Sequence, residues 1–179
     1  MVYVLMVDGF EDTEAIAPMD MLSRAGIEFK KVGVMGRVVT SKMGFPMTAD
    51  LTAEELDLSD CEMIFLPGGP GTKNYFDYTI VDTAIEYCKA NNLYIAAICA
   101  APSVLVAKNA LNGKNAVCHF SVREKMTGCT LLNQGVCVDG KVITGQGAAA
   151  SIDFGLALVE QLRGPEAAAQ VKHGICYVD

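Results

Sequence analysis

The stretch from Leu93 to Leu105, Leu-Tyr-Ile-Ala-Ala-Ile-Cys-Ala-Ala-Pro-Ser-Val-Leu, constrains the fold more than any other part of the chain. Leu93 to Ile98 is an apolar run of the kind that forms a strand covered on both faces. After Cys99 the pattern becomes helical, with Pro102 in the first turn, where a helix has no use for an N–H. A residue between a parallel strand and the following helix lies at the carboxyl edge of the sheet, where open α/β folds bind ligands. Ala96, Ala97, Ala100 and Ala101 flank the cysteine, and such small side chains permit the sharp turn of a nucleophile elbow. A thiol at a helix N-terminus also feels the positive end of the macrodipole, which favours thiolate. Cys99 is therefore the candidate nucleophile. The local pattern equally accommodates a buried cysteine acting as a small hydrophobe.

The length, 179 residues, predicts one domain spanning 1–179. The net charge of −7, with 14 scattered Lys and Arg, argues against nucleic-acid binding. Mean hydropathy is +0.30, yet no 18-residue apolar window occurs, so no membrane span is expected. The first residues lack a basic segment and a cleavage site and read as a first strand rather than a signal peptide. Seven cysteines, an odd number with no C-x-x-C, fit free thiols in a reducing, cytoplasmic compartment. Two histidines make a His-rich metal site unexpected.

Taken in order, Val2–Val7 reads as a strand, 13–24 as a helix with Asp12 or Thr13 as cap, and Ile27–Val34 as a second strand. This βαβ opening predicts a parallel sheet. Gly9 before the helix does not make a dinucleotide fingerprint. Pro18 lies inside the helix and removes the donor that would reach the Glu14 carbonyl, which predicts distortion there. The residues alone leave Glu14 as a solvated first-turn carboxylate or one aimed off the regular solvent face. Arg37–Ser41 and Pro46–Ala49 read as a hairpin or an extended excursion beside the sheet, and Thr52–Leu56 as a short capped helix. Glu62–Leu66 is the next core strand and runs into Pro67-Gly68-Gly69-Pro70-Gly71, a loop that exposes backbone N–H groups. No Gly-Lys-Ser/Thr follows, so it is not a P-loop.

A helix over 81–90 leads into the central strand, and the helix after Cys99 is expected to continue to about Asn109. Then come Ala116–Cys118 with His119, a helical piece over 122–126, and a small β region over 130–132, 136–138 and 141–144 turning at Asp139-Gly140. A long helix over 148–162 and a final turn or two over 166–171 complete the chain. Cys99, His119, Glu14 and the Gly68-Gly69 loop could converge on one sheet edge. There a thiolate attacks a carbonyl, a histidine relays a proton, and backbone N–H groups hold an oxyanion. A carboxyl beside a sulfur must share a proton with it or repel it, so its pKa should rise.

Several segments in order carry a resemblance: Gly9…Glu11-Asp12…Glu14…Pro18…Asp20, Arg24-Ala25-Gly26, Leu66-Pro67-Gly68-Gly69, Ala97-Ile98-Cys99-Ala100…Pro102, His119, and Thr144…Gln146-Gly147 with Asp153-Phe154. Over about Val2 to Lys172 the chain resembles the ThiJ/PfpI superfamily, whose fold is that of class I glutamine amidotransferases, and within it the DJ-one type. The resemblance implies a flavodoxin-like α/β three-layer sandwich with a mostly parallel central sheet and a nucleophile elbow. It implies a homodimer without metal or cofactor. It places the family's reactive cysteine on Cys99, its protonated glutamic acid on Glu14 and its active-site histidine on His119. Gly68, Gly69 and Ala100 match the oxyanion-pocket positions. Asp20 and Arg24 match positions near the dimer interface, with Asp20 a candidate to orient His119.

The departures are specific. Ala100 stands where peptidase-type members carry a histidine after the cysteine, which weakens a cysteine peptidase or amidase reading. Ala101 replaces a common glycine, and Gly145 and Ala148 replace the usual Ser and Pro of the last motif. His173 is followed by Gly174 and Ile175 rather than the His-x-Glu of amidotransferases, so glutaminase chemistry is not expected. Two expectations result. The first is a cysteine-dependent enzyme of glyoxalase or deglycase type acting on small α-oxoaldehydes such as methylglyoxal. The second is an oxidative-stress sensor or chaperone-like protein acting through oxidation of Cys99.

Overall fold

The computed structural model describes residues 1–178. In chain order the elements are β1 (Val2–Met6), α1 (Asp12–Arg24), β2 (Phe29–Gly33), β3 (Val38–Thr40), β4 (Pro46–Thr48), β5 (Leu51–Thr52), β6 (Met63–Leu66), α2 (Thr79–Ala90), β7 (Tyr94–Ile98), α3 (Pro102–Ala107), β8 (Asn115–Ala116), β9 (Thr130–Leu131), β10 (Val136–Asp139), β11 (Val142–Gly145), α4 (Ser151–Arg163) and α5 (Pro165–Gly174). Seven strands form one sheet in the order β10-β11-β7-β6-β1-β2-β5. All neighbours are parallel except β10, which pairs antiparallel with β11 at one edge. This is the α/β fold expected, a mostly parallel sheet flanked by helices.

The period of two along each central strand divides the interior into two cores. Tyr3, Leu5, Ile64, Leu66, Ile95 and Ala97 face a core shared with α2 and α3, which contribute Ile85, Cys88 and Leu105. Val2, Val4, Met63, Phe65, Ala96 and Ile98 face the opposite core, closed by Met19 and Leu22 of α1 and by Phe154 and Leu158 of α4. Because both faces are covered, β1, β6 and nearly all of β7 are buried, which explains why they read as continuous apolar runs rather than alternating ones. On the second face α1 and α4 approach closely at Gly155. A Cβ there would meet Pro18 Cα at 2.9 Å and Met21 Cγ at 2.7 Å.

Some boundaries differ from the sequence reading, each for a local reason. Residues 52–56 are not an α-helix: Leu51–Thr52 adds to the sheet edge and Ala53–Glu55 makes one 3₁₀ turn. The Glu55 carboxylate does accept the Thr52 N–H at 2.8 Å, so the capping pattern is real while the helix is too short to propagate. The helix after Cys99 stops at Ala107, and Asn109 turns left-handed at φ 55°. Thr130–Leu131 pairs in parallel with Asn115–Ala116 rather than joining the β10–β11 hairpin. Residues 148–150 form a 3₁₀ turn ahead of α4. Pro18 lies within α1, which runs unbroken from Asp12 to Arg24.

Candidate active site

Adjacent parallel strands β1, β6, β7 and β11 deliver their carboxyl ends to one edge of the sheet, and β7 ends at Ile98 opposite Gly145 of β11. Cys99 follows at φ 66°, a left-handed conformation unusual for a residue with a side chain. Two backbone hydrogen bonds fix it there: Cys99 N–H to Gly145 O at 2.9 Å, and His119 N–H to Cys99 O at 2.8 Å. Pro102 then opens α3. The elbow read from the sequence is therefore present, and holding a non-glycine residue there stores roughly 1–3 kcal/mol of strain.

Glu14 reaches the same edge from α1. It is only 1% exposed, so the carboxyl is not a solvated first-turn group. The cause is helical phase: Glu14, Pro18 and Met21, at i, i+4 and i+7, share the buried stripe of α1. Its Oε2 makes no hydrogen bond of regular geometry among the described residues. The carboxyl lies against the Cys99 thiol and the Gly68 N–H. Burial raises its pKa from 4.5 to about 7, against the smaller lowering effects of those two neighbours. At neutral pH, Glu14 therefore retains a proton for a substantial fraction of the time.

The thiol responds in the opposite sense to the sequence expectation. Burial first, then the charge of Glu14 and the hydrogen bond to it, push Cys99 up to about 12. The backbone N–H groups of Gly69 and Ala100 face the sulfur and pull the other way. The helix-end contribution anticipated from the sequence, and that of the two amides, are thus outweighed by enclosure and by the carboxyl. The resting pair is best described as a thiol beside a carboxyl, with a nucleophile generated when the proton moves.

Gly68 is where the loop touches both groups. A Cβ on it would fall 2.4 Å from Glu14 Oε2, 2.5 Å from Cys99 Cβ and 2.7 Å from Ile98 O. Gly69, at φ 105°, has no room for a side chain against Glu11 N at 2.5 Å. The loop is held by Glu11 N–H to Gly68 O at 2.9 Å and by the Thr72 hydroxyl to Gly69 O at 2.8 Å. Beneath it the fully buried Tyr75 hydroxyl lies 2.8 Å from Leu5 O and 3.0 Å from Pro67 O. Tyr75 carries no sequence signal beyond an aromatic residue with a polar tip soon after a glycine-rich turn.

His119 is half-buried and caps the 3₁₀ turn over Phe120–Lys125. The Ser121 N–H donates to its Nδ1 at 3.3 Å, and the Ser121 hydroxyl lies 2.8 Å from the same nitrogen. With Nδ1 accepting, Nε2 carries the proton of the neutral ring. A cleft of about 570 Å³ is lined by Cys99, Glu14, His119, Gly69 and Ala100 together. Gly68 lies immediately beneath, against Glu14 and Cys99. Asp20 and Arg24 are not brought to it. They form an exposed ion pair on α1, Arg24 Nε to Asp20 Oδ2 at 2.8 Å, and Ser121 occupies the position beside His119 that Asp20 was a candidate to fill. No cluster of His, Cys, Asp and Glu suited to a metal ion occurs among the described residues. No helix there is long and apolar enough to cross a membrane.

Residues 1–161 match the model of the DJ-1/PfpI family. A glutathione-independent glyoxalase of Caenorhabditis elegans, DJR-1.2, is 29% identical over 168 residues, covering 93% of this chain and 90% of that protein. The Parkinson disease protein 7 homolog of Danio rerio is 31% identical over 175 residues, covering 94% and 93%. The crystal structure of DJ-1beta from Drosophila melanogaster superposes with a TM-score of 0.95 at 26% identity, covering 99% of this chain and 98% of that one.

Proposed function

The chain belongs to the DJ-1/PfpI family, and from that premise we propose that it is a cofactor-independent, cysteine-dependent enzyme acting on small α-oxoaldehydes. The observation that carries this reading is the cleft in which an elbow cysteine, a buried proton-bearing glutamate and a histidine share one wall. The glyoxalase name of the nematode relative supports the substrate class.

In this reading Cys99 Sγ adds to the aldehyde carbon and the aldehyde oxygen takes up a proton, giving a hemithioacetal. Glu14, buried against the thiol, receives the thiol proton or supplies the one the oxygen needs. The hydrogen on the former aldehyde carbon then leaves as a proton, one returns to the neighbouring ketone carbon, and the hemithioacetal hydroxyl proton passes to the ketone oxygen, so that the first oxygen becomes a carbonyl and the second a hydroxyl. The product is the thioester of a 2-hydroxy acid. Glu14 and the Nε2 side of His119 are the groups on this wall able to move those protons. Water cleaves the thioester and restores the thiol, so the net change is addition of one water, with the aldehyde oxidised and the ketone reduced internally. Gly69 and Ala100 N–H groups, already facing the sulfur, would bear charge developing beside it.

Purified, metal-stripped protein should convert methylglyoxal to lactate without glutathione. Cys99→Ala should abolish the reaction with the fold intact, and Glu14→Gln should reduce it at least about 100-fold, the scale of a lost general acid–base group. Unchanged activity of Cys99→Ala would reject the reading.

One observation favours a second use of the same groups. A buried carboxyl whose Oε2 is unpartnered, and whose pKa is raised, can donate a hydrogen bond to an oxidised sulfur. Stress sensing through Cys99 sulfinate would then operate when peroxide replaces aldehyde. Mild peroxide should add 32 Da at Cys99 ahead of the other six cysteines, and oxidation elsewhere first would refute this.

We also propose a homodimer in the reducing cytoplasm. Its support is an exposed apolar face: Ile16 on α1, Ile152 on α4, which packs on α1, and Met43 and Phe45 in the loop whose Met43 N–H bonds Asp12 of α1. The cytoplasmic placement rests on seven free cysteines. Sedimentation should give twice the chain mass, and Ile16→Lys should give the monomer.

A further inference from the structure

The mouth of the cleft carries charge of the opposite sign to the chain. The whole sequence has net charge −7, yet three lysines line this cleft: Lys42, Lys73 and Lys125. The carboxylates on the same lining are Glu11 and Glu14. Lys42 is neutralised by Glu11, Nζ to Oε2 at 2.8 Å. Glu14 is buried with its pKa raised toward neutrality, so it offers at most part of a negative charge. Lys73 and Lys125 are exposed and enter no ion pair among the described residues. The adjoining hollow, which shares His119 with the cleft, is lined by Arg123 and Asp153 and adds no net charge of its own.

Size points the same way. A cleft of about 570 Å³ is far roomier than the five heavy atoms of methylglyoxal require. The wall holding Cys99 can take the reacting end of an aldehyde and leave most of the cleft, including its two uncompensated ammonium groups, for the rest of the molecule.

We propose that the preferred substrate is an α-oxoaldehyde carrying a carboxylate, its anionic end held by Lys73 and Lys125 while its aldehyde carbon meets Cys99. The inference rests on the oxoaldehyde reading above and adds the charge of the substrate. A suitable probe is 4,5-dioxopentanoate, which by the same steps adds one water and becomes 2-hydroxyglutarate without an external oxidant or reductant. Its methyl ester keeps the reacting end and removes the charge.

Two measurements separate failure of this inference from failure of its premise. In the first, kcat/KM is compared for the acid and its ester in wild type and in Lys73→Gln/Lys125→Gln. The acid should be favoured about three- to tenfold at low salt, the scale for two partly screened charges within a Debye length. The preference should fall toward parity in the double variant and in 0.5 M salt. In the second, Cys99 is alkylated with iodoacetate and with iodoacetamide, which differ chiefly in charge, and the adduct is quantified by peptide mass spectrometry. The iodoacetate-to-iodoacetamide rate ratio should exceed that of free cysteine and drop in the double variant. Turnover of both oxoaldehydes with no lysine-dependent preference would overturn the proposal and leave the enzyme standing. Absence of any turnover, with the alkylation ratio still dependent on the lysines, would overturn the aldehyde class and leave an anion-selective thiol site. A ratio equal to that of free cysteine would overturn the role of the lysines altogether.

Discussion

Replacing Glu14 with Gln keeps the volume and removes the titration, and the structure sets the size of the effect. The carboxyl is 1% exposed, and its pKa rises from 4.5 to about 7 on folding. The folded protein therefore holds a proton that the unfolded chain releases between those values. Wild-type stability should decline across that window as pH rises, by about 3 kcal/mol once both states are ionised, at 1.36 kcal/mol per pKa unit. The penalty is about 1 kcal/mol at pH 5 and about 3 at pH 8 by the same linkage. Glu14→Gln escapes it, so its stability relative to wild type should improve by about 2–3 kcal/mol between pH 5 and pH 8. Urea unfolding of both proteins at the two pH values measures this, because other groups titrate alike in each and cancel in the difference. Cys99 ionises too high to contribute below pH 8. A wild-type to variant difference that stays constant from pH 5 to pH 8 would refute the claim that Glu14 is buried with a raised pKa.

Gly68→Ala places a Cβ within 2.7 Å of three groups, two of them the Glu14 carboxyl and Cys99. Thermal melts should show a loss of about 1–3 kcal/mol, and Cys99 alkylation should slow because the sulfur and carboxyl are forced apart. Cys99→Gly should be about 1 kcal/mol more stable than Cys99→Ala in urea unfolding, since glycine adopts the left-handed turn at φ 66° without strain. Tyr75→Phe removes the hydroxyl that ties Pro67 O to Leu5 O. It should cost about 1–2 kcal/mol in the same assay and lower activity by loosening the Gly68–Gly69 loop. If Glu14 supplies the proton, kcat/KM for methylglyoxal should fall as pH rises through about 7, and the Glu14→Gln profile should lack that limb.

The alternation of sequence and fold is clearest at the central strands. Val2–Met6, Met63–Leu66 and Tyr94–Ile98 are apolar at nearly every position, so each must be covered on both faces, and the intervening helices then require parallel crossovers. Sequence order alone thus led to an α/β sheet with Cys99 at its carboxyl edge, because a strand, a cysteine among alanines and a proline-initiated helix have few other arrangements. Residues whose roles depend on distant partners were not legible in the same way. Glu14 looks like a solvated first-turn carboxylate until the phase of α1 against the sheet buries it and brings it to Gly68 and Cys99. The charge state of the thiol also required the tertiary structure. A helix N-terminus and the adjacent Ala100 amide, both local, favour thiolate, as does the Gly69 amide brought in by the loop after β6, but enclosure and a carboxyl arriving from 85 positions away reverse the balance. Tyr75 beneath the loop and the lysines at the mouth belong to the same class. Local pattern fixes backbone conformation because it depends on neighbours in sequence, whereas burial, pKa and the sign of a cleft depend on which surfaces the folded chain brings together.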